Sequence, residues 1–183
     1  DVSQRHPEAG AFSFKEIRPA ERDDRSHSLD LPDAYVASYS NCASAVRSDL
    51  YGEEAFFPGV FFHMYEEPDY CLQSYACGYG VRFVSSITVL HRYTSVGRNL
   101  IKRHHQHARN EVLSVLMRCP APFLAFVLSY RVIRQLAYAA SQHLSWVLRE
   151  PVWWWQALVR VPTAIKLRRP VKWKVYWAWM RLA

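Results

Sequence analysis

Residues 61–91 read FFHMYEEPDYCLQSYACGYGVRFVSSITVLH, and this stretch decides how the chain folds. An aromatic strand is predicted over Phe61–Tyr65, and it ends at two neighbouring carboxylates, Glu66 and Glu67. The proline that follows suits the first turn of a helix, which should run over Asp69–Cys77 and end at Gly78. A carboxylate pair between a strand and a helix N-terminus lies where loops open into a cleft. These two residues are therefore candidates for chemistry.

Short strands surround this helix. After it, Val81–Val84 and Ile87–Leu90 have the apolar, β-branched character of strands, and the second ends at His91. Before it, the alternation of apolar and polar residues predicts a strand over Ala11–Ile17. The other upstream segments are predicted as a surface loop over residues 19–33, a short strand or its approach over Ala34–Ser40, and a short helix over Cys42–Leu50.

From Asn99 onward the pattern changes to helix, so a helical region is expected over residues 99–183. Four helices are predicted: Leu100–Arg118, Phe123–Leu148, Val152–Leu167 and Val171–Leu182. In the second, polar residues recur every three or four positions and form one stripe, with apolar residues opposite. Pro162 should kink or break the third helix. No window of ~18 apolar residues is free of charge, so no segment is predicted to cross a membrane.

Charge divides the chain into an acidic and a basic part. Residues 1–70 hold 14 acidic and six basic side chains, a net charge of −8, while residues 71–183 hold two and 17, a net charge of +15. All seven tryptophans lie between Trp146 and Trp179. Half of the residues are hydrophobic, which excludes global disorder. The four cysteines have no CxxC spacing, so we expect buried thiols and neither a disulfide framework nor a zinc site.

The motifs of residues 41–120 occur in a definite order. A small-residue segment with an arginine, Asn41–Arg47, precedes the aromatic run, the carboxylate pair and the strand that ends in histidine. Gly97-Arg98, Arg109-Asn110-Glu111 and Arg118-Cys119-Pro120 follow. In this order, about residues 7–119 resemble glycosyltransferase family 2, the inverting sugar transferases of GT-A type. The resemblance implies an α/β fold, in which residues 1–98 are the C-terminal, acceptor-side half of a Rossmann-like GT-A domain and residues 99–183 add amphipathic helices.

The resemblance also implies a donor-binding half. Family members carry an Asp-x-Asp motif upstream of a segment of this kind, together with the strands that bind the sugar donor. Asp23-Asp24 lies in a polar loop and lacks a strand before it. We therefore expect the chain to be the C-terminal part of a longer enzyme.

Glu66, Glu67 and Asp69 are the predicted catalytic residues. An inverting transferase deprotonates an acceptor hydroxyl as it attacks the anomeric carbon, and a positioned carboxylate is the natural general base. The resemblance gives this role to Glu67, while Glu66 binds acceptor hydroxyls or holds the turn. Asp69 matches the acid that follows in the family. The alternative for all three is N-terminal capping of the next helix.

His91 is the predicted metal ligand. In the family, the histidine at this point can complete the coordination of Mn²⁺ or Mg²⁺, which stabilises the departing diphosphate. An ordinary core or surface histidine is the alternative. Arg47, Arg98 and Arg109 are the predicted substrate-binding residues, the last two as candidates to meet the diphosphate. A solvated or lipid-facing basic helix explains Arg98 and Arg109 equally well.

The predicted function is transfer of a sugar from a nucleotide-diphosphate-sugar donor to a hydroxyl of a cell-envelope glycan or a lipid-linked acceptor. The alternative is a non-catalytic, membrane-peripheral helical protein that carries a GT-A remnant. The Trp-rich, basic residues 121–183 predict binding to an anionic membrane surface and not to nucleic acid, because aromatic side chains prefer the headgroup level. The expected location is the cytoplasmic face of the cell membrane, as a peripheral protein.

Overall fold

The computed structural model describes residues 2–17, 32–92, 94 and 96–182, so Asp23-Asp24 and most of the predicted 19–33 loop lie outside the described residues. The chain divides into two compact units. We call residues 1–57, 67–96 and 174–183 the sheet unit, and residues 58–66 and 97–173 the helical unit. The sequence predicts a division of the chain after residue 98. In the structure, residues 58–66, which include the turn before Glu66, belong to the helical unit, and residues 174–183 belong to the sheet unit.

A mixed four-stranded sheet forms the centre of the sheet unit, in the order β2-β4-β1-β3. Its two long strands, β1 (Ala9–Ile17) and β4 (Gly80–Leu90), run parallel to each other. The short strands β2 (Ala34–Tyr35) and β3 (Ser44–Val46) pair antiparallel with β4 and β1, respectively. The class is therefore mixed α/β, and the strand predicted over residues 11–17 is confirmed. The two strands predicted after the helix are one strand, β4, whose pairing shifts register after Val84.

The helix predicted beside the carboxylate pair is confirmed as α2 (Glu66–Ala76), which begins three residues earlier than expected. Gly78 follows it with a φ of +89°, a left-handed conformation that glycine adopts without strain. Residues of α2 contribute to the main core of the sheet unit, which also includes residues near the starts of β1 and β4. That core contains Ala11, Tyr39, Leu50, Ala55, Tyr70, Cys71 and Val81. A four-residue helix, α1 (Val2–Arg5), precedes β1.

The helix predicted over Cys42–Leu50 is wrong. A single 3₁₀ turn, Asn41–Ala43, leads into β3, whose backbone bonds to β1 satisfy the groups that a helix would have paired internally. The Arg47 amide extends this edge by donating to the Gly10 carbonyl at 3.0 Å. All four cysteines are free thiols, but only two are buried as expected. Cys71 and Cys119 are buried, whereas Cys42 and Cys77 are exposed.

The helical unit is built from α3 (Leu100–Arg118), α4 (Leu124–Gln142), α5 (Leu144–Val147) and α6 (Glu150–Lys166). The single helix predicted over Phe123–Leu148 breaks at His143, because this residue is extended and its ring Nδ1 accepts the Ser145 amide at 3.1 Å, which caps α5. Pro162 lies inside α6 without ending it. The last helix is α7 (Trp173–Met180), in which the Trp179 indole donates to the Ala37 carbonyl at 2.8 Å.

Polar side chains fill part of the interior of the helical unit. Glu111 is fully buried, and its Oε1 accepts Nη1 of Arg131 at 3.0 Å as well as Nη2 of Arg134. Its Oε2 accepts Nε2 of Gln135 at 2.5 Å. The polar stripe of α4 therefore faces the interior at Arg131 and Gln135. An amphipathic helix in water would instead turn its apolar side toward the interior.

A second buried carboxylate joins α6 to α3. Glu150 is fully buried, with Oε1 2.7 Å from Nε2 of His104 and Oε2 accepting the Trp153 indole at 2.8 Å. Trp153 is thus a core residue, and of the Trp153–Trp155 run only Trp154 and Trp155 are exposed. Within the described residues, none of the helices combines the length and the apolar character that crossing a membrane requires.

Candidate functional site

His91 lies beside two side chains that the sequence did not predict as metal ligands. Glu16 is near the C-terminal end of β1 and His91 follows that of β4, so the parallel pairing brings both to one edge of the sheet. The His91 amide donates to the Ile17 carbonyl at 2.9 Å and holds this register. Cys42 reaches the same point from the turn Asn41–Ala43. One ligand atom from each of the three residues lies within 4.8 Å of the others.

Glu16 links the members of this cluster. Its Oε1 is 2.5 Å from Nδ1 of His91, and its Oε2 accepts hydrogen bonds from the Ser40 hydroxyl at 3.0 Å and the Cys42 thiol at 3.3 Å. The hydrogen bond with His91 is the main cause that lowers the pKa of Glu16, so this carboxylate is ionised at neutral pH. About a quarter of the Glu16 and His91 side chains remains exposed, which leaves the cluster open to a small ion.

The donor atoms decide which metal the cluster fits. A carboxylate with an imidazole suits Mn²⁺, whereas Mg²⁺ takes mainly oxygen ligands, so His91 and Glu16 fit manganese better than magnesium. The Cys42 thiol is a soft ligand that suits Zn²⁺. The set therefore fits a divalent ion, and Cys42 adds zinc to the two metals that the sequence predicts.

The strand predicted over Phe61–Tyr65 is wrong, because these residues form a tight turn. Three of them have the left-handed φ that non-glycine residues rarely adopt: Phe62 at 64°, Met64 at 74° and Tyr65 at 71°. Such a backbone persists only where its surroundings hold it. Nδ2 of Asn110, in α3, donates to three carbonyls of the turn, those of Phe61 at 3.2 Å, His63 at 2.7 Å and Met64 at 2.5 Å.

Arg109 holds the same turn. Its Nη2 donates to the Phe61 carbonyl at 2.7 Å, and its Nε donates to Oδ1 of Asn110 at 2.8 Å. The side chain is buried, and this burial lowers the pKa of Arg109. The residue predicted to bind substrate therefore uses its guanidinium within the chain, on the backbone that leads to Glu66.

Glu66 and Glu67 open α2 directly after this turn. Oε1 of Glu66 is 3.4 Å from Nδ1 of His63, and its Oε2 is buried without a hydrogen-bond partner among the residues that the structure describes. Glu67 is half-buried. Successive residues of a helix point about 100° apart, so the two carboxylates face different surroundings. They can therefore serve different roles, as the sequence predicts.

Asp69 is fully buried in the first turns of α2. Its Oδ2 accepts Nε2 of Gln73 at 2.8 Å, and the same amide nitrogen donates to the Phe56 carbonyl at 3.0 Å. This network joins α2 to the preceding loop. The arrangement supports a structural role for Asp69, with Gln73 as its hydrogen-bond partner.

Similarity to known proteins adds nothing to this geometry. No family model matches the sequence, and no curated protein or solved structure matches it. The resemblance to glycosyltransferase family 2 rests on the motifs alone. Because a fold does not by itself assign an activity, the assignment has to come from the site residues.

The remaining predicted binding residues differ in their surroundings. Arg47 follows β3, where its Nε lies 2.7 Å from Oδ1 of Asp49 and its Nη1 donates to the Pro7 carbonyl at 2.7 Å. Its guanidinium also covers the Tyr79 ring, 4.7 Å from the centroid. Arg47 is thus engaged within the sheet unit. Arg98 is half-buried two residues before α3.

A cavity of about 450 Å³ lies within the helical unit. Tyr138 and Trp146 contribute aromatic walls, and Arg103 and Arg134 contribute positive charge. The described residues that line the cavity include no carboxylate. Arg134 forms an ion pair with Glu111, which is not one of the lining residues. No described residue forms an ion pair with Arg103, so its charge is available to a ligand. The cavity therefore suits an anion joined to an apolar body.

Proposed function

We propose that this chain is part of a family 2 glycosyltransferase of GT-A type. It would move a sugar, with inversion, from a nucleotide-diphosphate-sugar donor to a hydroxyl of a cell-envelope glycan or lipid-linked acceptor. The support is the ordered set of motifs, the mixed sheet and the position of the predicted site residues at the ends of its elements. In this proposal the sheet unit supplies Glu67 and the cluster at His91.

The cluster of His91 with Glu16 and Cys42 is the observation that carries the proposal. It is the one group of three ligating side chains found among the described residues, and it contains the histidine that the motifs assign to the metal. Ligands of α/β proteins commonly bind at the carboxyl ends of parallel strands, where this cluster lies. A divalent ion held by His91 and Glu16 would stabilise the negative charge of a departing diphosphate.

In this proposal Glu67 is the general base. It takes the proton of the acceptor hydroxyl while the hydroxyl oxygen forms its bond to the anomeric carbon. The bond from that carbon to the diphosphate breaks on the opposite side, so the configuration inverts. Glu66 stays beside His63 after the turn at Phe61–Tyr65, and it fixes the start of α2. Asp69 supports the helix from within through Gln73.

The cavity of the helical unit supports a phosphate-bearing acceptor. Arg103 offers an available charge for a phosphate, and Tyr138 and Trp146 offer apolar surface for the group attached to it. Met64, which also lines the cavity, lies two residues before Glu66. A lipid-linked acceptor combines these two chemical properties, whereas a neutral glycan lacks the anion.

A non-catalytic, membrane-peripheral protein is the second candidate. The observation that favours it is the exterior of the helical unit, where large apolar side chains are exposed on α4 and α6. This exterior is compatible with either candidate, because an enzyme that works on a lipid-linked acceptor also needs a membrane. Catalysis by Glu67 therefore distinguishes the two.

The deciding experiment is Glu67→Gln in the whole protein. Turnover should fall ~10²-fold or more with donor binding nearly unchanged, because the amide keeps the shape but cannot accept the proton. Glu54→Gln is the matched control, since this exposed glutamate lies in a turn of the same unit. Turnover within a few-fold of the unchanged protein would remove Glu67 from the role and favour the second candidate.

A metal titration tests the cluster separately. His91→Ala should weaken activation by Mn²⁺ and donor affinity together, because both depend on the ion. His143→Ala, on the exposed end of α4, should leave the titration unchanged. An unchanged titration for His91→Ala would make His91 an ordinary hydrogen-bonding residue of the sheet edge.

A further inference from the structure

The outer faces of α4 and α6 carry large apolar side chains. On α4, Phe126 is 76% exposed and Ile133 is 65% exposed. On α6, Trp155 is 68% exposed and Leu158 is 63% exposed. Their exposed apolar neighbours are Tyr130, Val152, Val159 and Ile165. A water-soluble monomer seldom exposes so many large apolar residues on two of its helices, so these faces need a partner.

The interior of the same unit contains buried charged groups beside its apolar clusters. Glu111 and Glu150 are fully buried and satisfied by Arg131, Gln135 and His104. Polar groups inside and apolar groups outside are the arrangement that suits an apolar environment. The helices that carry it do not have the properties of membrane-crossing helices. Contact with the membrane–water interface satisfies both observations.

The charge of the helical unit selects the kind of partner. The unit contains 13 lysines and arginines but three acidic residues, and two of these three are the buried Glu111 and Glu150. Its exposed basic residues include Lys102, Arg134, Arg149, Lys166, Arg169 and Lys172. A second copy of the chain would bring like charges together, which is unfavourable. An anionic surface complements both the charge and the apolar faces.

We propose that the outer faces of α4 and α6 insert into the headgroup region of an anionic lipid bilayer. The apolar side chains enter the acyl boundary, and the exposed lysines and arginines bind phosphate headgroups. This surface does not depend on sugar transfer, because it is defined by burial and charge in the helical unit alone. Its tests measure lipid binding and not turnover, so either proposal can fail without the other.

Vesicle sedimentation tests the surface with the whole chain. Binding should rise when phosphatidylcholine vesicles contain an equal part of phosphatidylglycerol, and it should fall in high salt, where headgroup attraction is screened. The double variant Trp155→Gln/Leu158→Gln should reduce binding to the anionic vesicles at least tenfold. Both positions are exposed, so the variant should keep the circular dichroism spectrum of the unchanged chain.

Val96→Gln is the matched control, because Val96 is 85% exposed but belongs to the sheet unit. It should change binding less than twofold. Equal losses in Val96→Gln and in the double variant would overturn the proposal, since any exposed apolar residue would then do. Salt-sensitive binding that the double variant does not weaken would also overturn it, because charge alone would hold the chain.

Fluorescence quenching tests insertion directly. Brominated lipids quench tryptophans that enter the acyl boundary, so Trp155→Phe should lower the quenched fraction of the emission. Trp177→Phe, at an exposed position of the sheet unit, should not lower that fraction, because it removes emission that the lipids do not quench. If Trp155→Phe does not lower the quenched fraction, the face does not insert, and the proposal is wrong.

Discussion

The sheet unit and the helical unit differ in how many charged side chains they bury and how many large apolar ones they expose. In the sheet unit, Tyr39, Tyr70, Cys71 and Val81 pack in an apolar core, and Asp69 is the one charged side chain that is buried among its described residues. In the helical unit, buried carboxylates are paired inside while tryptophan, phenylalanine and leucine side chains are exposed.

The difference teaches that the surroundings of a helix decide which of its faces turns inward. Burial of the sheet core is favourable in water because apolar surface is removed from it. Burial of Glu111 costs desolvation, which pairing with two arginines and a glutamine offsets. The first unit therefore depends on packing, whereas the second combines apolar clusters with the pairing of its buried charges.

Removing a buried charge from the helical unit should have the largest effect on the free energy of unfolding. Glu111→Gln leaves Arg131 and Arg134 without their shared carboxylate, so the free energy of unfolding should fall by about 3 kcal/mol. Urea unfolding followed by circular dichroism measures the loss. Glu53→Gln, at an exposed turn of the sheet unit, should change it by less than about 0.5 kcal/mol. A loss of under about 1 kcal/mol for Glu111→Gln would mean that the buried pairing does not hold the unit.

Acid should weaken the helical unit through His107. Burial is the main cause that lowers the pKa of His107 from 6.5, and the ring packs edge-on against Tyr65. The charged groups that also act on it are Glu111, which opposes the shift, and Arg134, His104 and Arg131, which add to it. The unfolded chain then takes up the proton at higher pH than the folded chain. Stability from the neutral ring is therefore complete above about pH 6.5 and is lost as the pH falls.

Urea unfolding at a series of pH values measures this loss. His107→Gln should make the free energy of unfolding fall less steeply below about pH 6.5, because one such histidine has gone. Ser141→Ala, at an exposed position of α4 that carries no titratable group, should keep the original slope. The same slope in all three proteins would contradict a buried, neutral His107.

Removing single hydroxyl groups from two tyrosines of the sheet unit should have the smallest effects on stability. The Tyr70 hydroxyl is buried without a hydrogen-bond partner among the described residues, and burial raises the pKa of Tyr70 to about 12. Tyr70→Phe should therefore change stability by less than about 0.5 kcal/mol. The Tyr75 hydroxyl donates to the Val36 carbonyl at 2.9 Å, so Tyr75→Phe should cost about 1 kcal/mol. Thermal unfolding compares the two, and a larger loss for Tyr70→Phe would reverse the prediction.

Local patterns predicted the regular elements well. α2 and α3 were expected because proline, glycine and asparagine mark their ends, and Asn99 indeed caps α3 by accepting the Lys102 amide. The strand β1 followed from simple alternation. His91 was a candidate because the resemblance assigns the histidine at this point to the metal. Glu16 and Cys42 were not, since long-range pairing of β1 with β4 and the turn Asn41–Ala43 bring them to it.

Long-range contacts explain the errors. The turn at Phe61–Tyr65 looked like a strand because its residues are aromatic and apolar, and the Asn110 side chain that bends it comes from another element. The orientation of α4 depends on Glu111, a single residue of α3. A pattern within one helix identifies the polar stripe but does not say that a carboxylate on a neighbouring helix will bury it.

The hydrogen bonds from Asn110 to the turn at Phe61–Tyr65 have a consequence for the order of folding. Asn110 is 46 residues from Met64 and 49 from Phe61, so the left-handed backbone before Glu66 has no support until α3 has been synthesised. On the ribosome, α2 can begin to coil while the segment leading into it is still free to sample other conformations. The direction in which Glu66 and Glu67 point is therefore determined late, after Asn110 has been synthesised. Slower translation between Glu67 and Asn110 would prolong the time in which the two glutamates are misaligned.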